Sequence, residues 1–292
     1  MNIIVCIKQV PDTESPITVD PRSREVLTKG ITYILNPYDE LAIEEAVRIK
    51  ETIAGSQVTA ISYGPSRVEK ALRTCLAMGA DQGIMILDEM AEGSDTSVTA
   101  LVLSKLIKNM AYDLILCGKR SLDSDTSQLG PYLAEYLHIA NISSVTRIQI
   151  EDEKKKITAH RQIEGMVQVV ESKLPALLTA ERGLNEPRVP PVTFLLKAKR
   201  AKISSVDLDH IGIAKSEVGM EGSKVKVVNY SLPKPRRDKN AVNQSKLSAS
   251  ERLKIAMSGG MEENKGDDKI IKGDYHEGAL ILVKYLSQNK FI

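Results

Sequence analysis

The segment GKRSLDSDTSQLG, residues 118–130, places hydroxyl, amide and charged side chains between an apolar run and a helical pattern. Its residues are Gly118, Lys119, Arg120, Ser121, Leu122, Asp123, Ser124, Asp125, Thr126, Ser127, Gln128, Leu129 and Gly130. The hydroxyls of Thr126 and Ser127 could hold a phosphate together with the N–H groups that open the following helix. Asp123 and Asp125 could bind ribose hydroxyls, or they could simply cap the turn. The segment therefore suggests a phosphate-binding turn, with an ordinary loop as the alternative.

Three other polar loops lie between apolar runs and helical patterns. They are KQVPD at residues 8–12, YGP at residues 63–65, and the four residues Gly93, Ser94, Asp95 and Thr96. In an open parallel sheet, ligands bind outside the carboxyl ends of the strands, where loops lead into helices. The four loops therefore predict one polar rim, with a nucleotide as its natural ligand. The sequence has neither a GxGxxG fingerprint nor a P-loop, so the common dinucleotide and triphosphate motifs are both absent.

The elements that must position this rim alternate regularly over the first half of the chain. The apolar runs are IIVCI, VTAIS, GIMIL and DLILC, and helices are predicted at residues 38–53, 68–78, 96–110 and from 128 onward. Continuous apolar strands separated by helices indicate a parallel sheet covered on both faces. The predicted fold class is therefore α/β, with a doubly wound, Rossmann-like and mostly parallel sheet.

The pattern changes after the fourth helix. Alternating runs, broken at residues 151–155 and at Gly165, predict hairpins over residues 143–180. These hairpins would add antiparallel strands to one edge of the sheet. A short helix is predicted after Pro190 and Pro191, and residues 207–222 are typical of an irregular linker.

The end of the chain is predicted to leave the main domain. We predict an α/β domain over residues 1–232 and a polar linker over residues 233–268, because KPRRDKN, SGG and NKGDDK offer little apolar surface. Residues 269–292 contain the apolar-faced pattern GALILVKYL and are predicted to form a helical arm. A terminal helix on a long tether usually docks on its own domain or on a partner chain.

Composition excludes several classes of protein. The 292 residues are 42% hydrophobic and 27% charged, which is typical of a soluble globular protein. A net charge of +2 and the lack of Trp argue against nucleic-acid binding. No apolar run approaches the roughly 20 residues that a membrane span requires.

Candidate catalytic and metal-binding groups are sparse. Cys6, Cys75 and Cys117 lie far apart in apolar surroundings, which predicts neither a disulfide framework nor a metal site. Their pattern favours a reducing, cytoplasmic compartment. The four histidines have no Ser, Cys or metal-ligand companion at useful spacing. We therefore predict no catalytic residue and no metal ligand.

Several long motifs resemble one known family. They are CIKQVPDT at the start, NPYDELAIEEAVRIKE from residue 36, SYGPSRVEKALRTCLAMGAD from residue 62, the GKRSLDSDTSQLGP loop, and LPALLTAERGLNEPR from residue 174. With these motifs the chain resembles the beta subunit of electron transfer flavoproteins over nearly its whole length. The resemblance implies an adenine nucleotide alpha hydrolase-like sheet domain and pairing with an alpha subunit in a heterodimer.

The resemblance also implies a cofactor and its site. The beta subunit of this family holds AMP in the simple electron carriers and a second FAD in the electron-bifurcating type. The motifs place that site on residues 118–130 and on Cys6, Asn36, Pro37, Tyr38, Asp39 and Tyr63. In the bifurcating type, NADH is the electron donor, and the electrons part toward the alpha-subunit flavin and ferredoxin.

Two further segments are implied to meet partners. The family's beta C-terminus reaches the flavin domain of the alpha subunit, which matches the predicted terminal arm. The loop that begins at Arg188 and ends at Lys197 corresponds to the loop by which carriers anchor acyl-CoA dehydrogenases, and a quinone-linked oxidoreductase is another possible partner. Val192 stands in that loop where a leucine anchor is usual.

The motifs favour the bifurcating, FAD-holding branch. The stretch GSDT at residues 93–96 and the stretch DSDTSQLGP resemble that branch, whose loop reads DGDTAQVGP. Against it stand SYGPSRVE, where that branch usually has MGPPQA, and Ser124, where it carries Gly. Gln162 departs from the carriers, which have a glutamate that pairs with an arginine near the alpha-subunit flavin. The simple carrier with AMP therefore stays the first alternative.

Two other function classes are less favoured. A nucleotide-sensing module without a redox role would share the sheet but would lack the hairpins and the LNEPR segment, and both are present here. An independent NAD-dependent enzyme would need the glycine fingerprint or an acid/base pair, and the sequence offers neither.

Overall fold

A computed structural model describes residues 1–20, 22–23, 25–151, 153, 155–231, 250 and 274–288. The chain divides into two compact units, Met1–Leu232 and Pro233–Ile292. The predicted polar linker at 233–268 lies outside the described residues except for Ser250.

The first unit alternates strands and helices as its sequence pattern predicts. Its strands are β1 (Asn2–Cys6), β2 (Gln9–Pro11), β3 (Thr18–Val19), β4 (Val26–Leu27), β5 (Tyr33–Leu35), β6 (Gln57–Gly64), β7 (Gln82–Leu87), β8 (Leu114–Gly118), β9 (Ala140–Glu151), β10 (Lys156–Ile163), β11 (Met166–Lys173), β12 (Ala176–Ala180) and β13 (Ser204–Asp207). Its helices are α1 (Pro37–Thr52), α2 (Glu69–Met78), α3 (Thr96–Ile107), α4 (Leu129–Leu137), α5 (Val192–Arg200) and the short α6 (Gly219–Gly222).

Nine of the described strands form one sheet in the order β11-β10-β9-β12-β8-β1-β6-β7-β13. The strands from β9 through β12, β8, β1, β6 and β7 to β13 pair in parallel, whereas β10 pairs antiparallel with both β9 and β11. The predicted fold class is thereby confirmed. Two small antiparallel ribbons, β2 with β5 and β3 with β4, stand apart from this sheet.

Helices cover both faces of the sheet because successive strand residues point to opposite sides. In β1, Ile3 and Val5 join a core with buried residues of α1 and α2. Ile4 and Cys6, one residue along, join a second core with buried residues of α3 and α4. Both faces of the central strands are therefore apolar, which explains why the sequence shows continuous apolar runs instead of alternation.

The predicted hairpins are present, but one strand of that region lies elsewhere in the sheet. β9, β10 and β11 form the antiparallel edge. β12 instead runs parallel between β8 and β9 and is buried throughout. The run ALLTA lacks alternation because both of its faces are covered, so its interior position agrees with its composition.

The prediction of an irregular linker at residues 207–222 is wrong in one respect. The segment has only short turns and α6, but Leu208, Ile211, Ile213 and Val218 are buried in the core beside α3. It is preceded by β13, which pairs in parallel with β7 at the sheet edge. Four apolar side chains anchor the segment against the domain, so it is part of the first unit.

In the second unit, the helix α7 (Tyr275–Gln288) is described. The side chains of Leu280, Ile281, Leu282 and Val283 are all exposed. Over the described ranges, no helix combines the length and apolar character that crossing a bilayer would demand.

Candidate ligand crevice

A crevice opens where the winding of the sheet reverses. The chain moves outward from β1 through α1 to β6 and through α2 to β7, and α3 then carries it back to β8 on the other side of β1. The connections after two adjacent strands lead to opposite sides there, which leaves a gap beyond the carboxyl ends of these strands. Open α/β sheets bind their ligands in such gaps. Here the gap lies beyond Cys6 and Gly118, which end β1 and β8.

The first turn of α1 holds the two sides of this crevice together. The Asp39 carboxylate, only 5% exposed, accepts hydrogen bonds from the Lys8 N–H at 2.7 Å and the Gly118 N–H at 2.8 Å. Burial raises the pKa of Asp39 to about 7, although both N–H groups favour the charged form. Pro37 suits the first helical position because its missing N–H would have no intrahelical partner. Asp39 therefore connects the ends of β1 and β8.

Asn36 fixes the loop that leaves β8. Its side-chain amide is buried, donates to the Arg120 carbonyl at 2.9 Å and accepts from the Leu122 N–H at 3.3 Å. The neighbouring Tyr38 is also buried, and its hydroxyl accepts two hydrogen bonds from the Arg120 guanidinium, at 2.9 and 2.8 Å. Asn36 and Tyr38 thus position the loop from below.

Gly118 allows these groups to approach the strand. A Cβ at this position would lie 2.5 Å from Asp39 Oδ1 and 2.7 Å from Tyr38 Cβ. Gly130 is equally constrained, because a Cβ there would lie 2.4 Å from Thr179 Cγ2 of β12. The two glycines that bound the 118–130 loop are therefore required by packing on either side of it.

Ion pairs organise the exposed part of the loop. Lys8 Nζ lies 2.5 Å from Asp123 Oδ2, and Arg120 Nη1 lies 2.9 Å and 3.0 Å from the two oxygens of Asp125. The pKa of Asp123 is lowered chiefly by Lys8, against the opposing effect of burial. Both carboxylates predicted for the site are thus paired with a cationic side chain.

The backbone of the loop is strained where it turns toward α4. Asp125 and Ser127 have φ angles of 52° and 55°, a region that residues other than glycine rarely adopt. Such conformations cost about 1–3 kcal/mol each and cluster at ligand sites. The loop ends at Gln128, which provides no side-chain cap for α4. Within the described part of the chain, the N–H groups of Leu129 and Gly130, which open this helix, have no side-chain acceptor.

The loop before α3 approaches from the other side. Tyr63 at the end of β6 donates through its hydroxyl to Asp88 Oδ2 at 2.6 Å and lies 3.2 Å from Ser94 Oγ. Burial and the Asp88 carboxylate raise the pKa of Tyr63. Thr96 Oγ1 lies 3.2 Å from Thr126 Oγ1, so the first turn of α3 touches the 118–130 loop.

The structure brings the predicted residues together in two layers, one exposed and one buried. Residues 123–128 are exposed at the mouth of the crevice, whereas Asn36, Tyr38, Asp39 and Cys6 lie beneath it. Cys6 is packed in the core with α3 and α4, opposite Cys117 of β8. Burial raises the pKa of the Cys6 thiol to about 12, followed by a contribution from Asp39. Cys6 is therefore a neutral thiol in the wall of the site.

An adjoining open cleft of about 880 Å³ was not predicted. It is lined by Lys119, Glu181, Arg182 and the hairpin tip of residues 162–165. Lys119 pairs with Glu181, and the Arg182 guanidinium lies 5.4 Å from the Tyr38 ring centroid. The sequence does contain a signal for this cleft, because the polar residues Glu181 and Arg182 directly follow the apolar run ALLTA. Polar residues after an apolar run were the criterion that identified the other loops.

The topology defines a Rossmann-like α/β protein with polar loops gathered at its switch point. Comparison with known proteins gives the family. Residues 25–211 match the electron transfer flavoprotein domain. The beta subunit of the electron transfer flavoprotein from Thermoanaerobacterium thermosaccharolyticum is 41% identical over 81% of this chain and 90% of its own length. The chain therefore belongs to the electron transfer flavoprotein family, on the beta-subunit side.

Other relatives carry related names. Protein FixA from Azotobacter vinelandii is 40% identical over 81% of this chain and 85% of its own. The caffeyl-CoA reductase-Etf complex subunit CarD from Acetobacterium woodii is 37% identical over 80% of this chain and 88% of its own.

Proposed function

We propose that this chain is the beta subunit of a heterodimeric electron transfer flavoprotein that binds an adenine nucleotide in the crevice between β1 and β8. The observation that carries the proposal is the 118–130 loop. Two of its residues have unfavourable φ angles, and it leads into a helix without a side-chain cap. Backbone strain of this kind is commonly found at ligand-binding sites, where the surrounding structure maintains it. The free N–H groups at the start of a helix can bind a phosphate.

The residues at the crevice fit such a ligand. The N–H groups at the start of α4 and the hydroxyls of Thr126 and Ser127 would receive phosphate oxygens. Lys8 and Arg120 would supply positive charge beside them, since both already lie at the loop through Asp123 and Asp125. Asp39 and Asn36 would not need to move, because they hold the loop from its buried side.

We propose that the nucleotide is FAD and that the complex takes part in electron bifurcation from NADH. The stretches DSDTSQLGP and GSDT support this proposal, and ferredoxin would be the low-potential acceptor. A bound flavin supplies hydride and one-electron chemistry. The residues of this chain would position it and set its electrostatic surroundings. The adjoining cleft offers a volume in the range of cofactor sites, beside Lys119 and Arg182.

The alternative is a simple electron carrier with AMP in the same crevice. It is favoured by the exposed apolar face around α5, where Val189, Val192, Phe194, Leu195 and Leu196 are all at least 46% exposed. Apolar side chains grouped in this way are typical of a protein–protein contact. The partner in this case would be an acyl-CoA dehydrogenase or a quinone-linked oxidoreductase.

We further propose that the second unit contacts the alpha subunit through α7. Four consecutive apolar side chains of that helix are exposed, which is unfavourable in water without a covering surface. The three buried thiols in the described residues fit a reducing, cytoplasmic compartment.

One experiment tests these proposals together. The chain is copurified with its alpha subunit, the ligands are released by heat, and FAD and AMP are counted per heterodimer by chromatography. Two FAD and no AMP are expected for the bifurcating complex, and NADH oxidation coupled to ferredoxin reduction is then the next assay. One FAD with one AMP would establish the carrier. A colourless chain that copurifies with no alpha subunit would overturn both and favour a nucleotide-sensing module.

A further inference from the structure

The segment from Gly219 to Val225 is fastened to the loop that opens α3. Ser223 is 5% exposed, and its hydroxyl oxygen lies 3.0 Å from the Gly93 carbonyl oxygen and 2.7 Å from the Gly219 carbonyl oxygen, so its single proton is donated to one or the other. The same hydroxyl oxygen accepts from the Asp95 N–H at 2.8 Å. A Cβ on Gly93 would lie 3.0 Å from the Met220 nitrogen, so the two backbones are in close contact.

Asp95 completes this connection with both of its carboxylate oxygens. Oδ1 accepts from the Val98 N–H at 2.9 Å and thereby caps α3. Oδ2 accepts from the Lys224 N–H at 2.8 Å and the Val225 N–H at 3.0 Å. These N–H donors lower the pKa of Asp95, against the effect of burial, so the carboxylate is ionised at neutral pH. Sequence analysis placed Asp95 among the ligand-binding residues, but its hydrogen bonds are directed at the protein backbone.

The fastened loop touches the proposed nucleotide site at two points. Thr96, the residue after Asp95, meets Thr126 of the 118–130 loop. Ser94, the residue before it, accepts from the Gly219 N–H at 2.9 Å and contacts the hydroxyl of Tyr63. The segment 219–225 and the crevice are therefore joined through three consecutive residues.

We propose that Asp95 and Ser223 are positioning residues that hold the first turn of α3 against the 118–130 loop, so that nucleotide affinity depends on the packing of the segment 219–225. This inference rests on the proposed nucleotide site. The dependence is reciprocal: a nucleotide that favours the fastened arrangement also strengthens the attachment of the segment. Residues 226–231 continue from this attachment, and Val227, Val228 and Tyr230 among them are exposed. Nucleotide binding in the crevice thus determines how stably the chain is attached at the point where residues 226–231 begin.

The test compares four variants of the full chain in its heterodimer, after the bound nucleotide has been removed. Ser223→Ala removes the hydroxyl, and Asp95→Ser keeps a side chain that caps α3 while it removes the acceptor for Lys224 and Val225. Ser104→Ala is the matched control, since Ser104 is a buried serine that bonds within α3 to Leu101. Binding of AMP and of FAD is titrated at a temperature where circular dichroism shows every variant folded.

We expect Ser223→Ala and Asp95→Ser to weaken binding roughly fivefold or more, and Ser104→Ala to leave it unchanged. Ser223→Thr, which retains the hydroxyl, should restore most of the affinity. Hydrogen exchange on the unmutated complex gives a second readout, because nucleotide should slow exchange at the Lys224 and Val225 amides. If the unmutated complex binds neither AMP nor FAD, the proposed nucleotide site fails. If it binds, but the variants bind equally well and these amides are unaffected, the positioning role is overturned.

Discussion

At the scale of single residues, the crevice depends on glycine, which has no side chain, as much as on the polar side chains. Gly118 leaves room for Asp39 and Tyr38 at distances that a methyl group would violate. We expect Gly118→Ala to lower the free energy of unfolding by about 1–3 kcal/mol or more, because the buried neighbours have to shift. Urea unfolding measures this change.

Gly83 supplies a matched control for that substitution. It lies in β7, and a Cβ there would be 3.6 Å from its nearest neighbours, which is ordinary contact distance. Gly83→Ala should therefore change stability little or increase it. Equal destabilisation of both variants would show that strand glycines in general, and not the contact with Asp39, determine the effect.

Asp39 should make stability depend on pH. Its folded-state pKa is raised from 3.8 to about 7, so the folded protein holds this proton more tightly than the unfolded chain does. The resulting contribution to stability is fully present below about pH 4 and is lost as the pH rises through about 7. We expect the stability of the unmutated protein to fall relative to Asp39→Asn across this range. Urea unfolding at several pH values measures the difference, and a constant difference would contradict the prediction.

Sequence reasoning identified the residues of the crevice better than their roles. Polar residues after apolar strands had to gather at one sheet edge, and they do. That both oxygens of Asp95 are engaged by backbone N–H groups follows from the path of residues 219–225, which no local pattern reveals. Arg182 was missed because the run before it was interpreted as part of the edge hairpins.

At the scale of elements, Arg188 fastens the segment before α5 to α1. Its guanidinium donates to Glu44 Oε2 at 2.8 Å and to Glu51 Oε1 at 2.6 Å, and Glu44 is 2% exposed. We expect Arg188→Ala to cost about 1–3 kcal/mol, because a buried carboxylate loses a charged partner. Thermal unfolding compared with that of Arg147→Ala, an exposed arginine on β9, tests the magnitude.

The same pair predicts a pH dependence of the opposite sign to that of Asp39. The hydrogen bonds from Arg188 and Arg48 lower the pKa of Glu44 despite its burial. The stability that Glu44 contributes is present above its ordinary pKa of 4.5 and is lost as the pH falls through the lower folded-state value. The gap between the unmutated protein and Arg188→Ala should therefore narrow in acid. A gap that stays constant down to about pH 3 would show that charge on Glu44 is not its source.

Most helices and strands were predictable because their periodicities are strong. The predicted helix at 38–53 is observed as Pro37–Thr52, and the predicted start at residue 96 is the observed start of α3. β13 and the buried turns after it were missed, because a four-residue strand and isolated apolar residues such as Leu208 and Ile213 carry no period. Their structure depends on contact with β7 and α3, which is information that the local sequence lacks.

At the scale of the whole molecule, the chain divides into two units at residue 232. The first unit contains both apolar cores and every residue of the crevice. We expect a chain that ends at Leu232 to unfold cooperatively, to retain nucleotide binding, and to lose most of its association with the alpha subunit. Circular dichroism melting measures the unfolding, titration with AMP and FAD measures nucleotide binding, and size-exclusion chromatography with the alpha subunit measures the association.

A full-length variant distinguishes the contribution of α7 from that of the residues that precede it. Leu280→Asp combined with Ile281→Asp places charge on the exposed apolar residues of α7 and leaves the length of the chain unchanged. It should weaken association about as much as the truncation does. Full association by either variant would show that the first unit alone binds the partner.

The position of β12 has a consequence for synthesis of the chain on the ribosome. This strand fills the place between β8 and β9, yet it is made after both of them and after the hairpin. Until residues 176–180 emerge, β8 and β9 each lack a partner on one side, and such open strand edges attract other chains. A released chain that ends just before residue 176 should therefore aggregate more readily than one that includes β12.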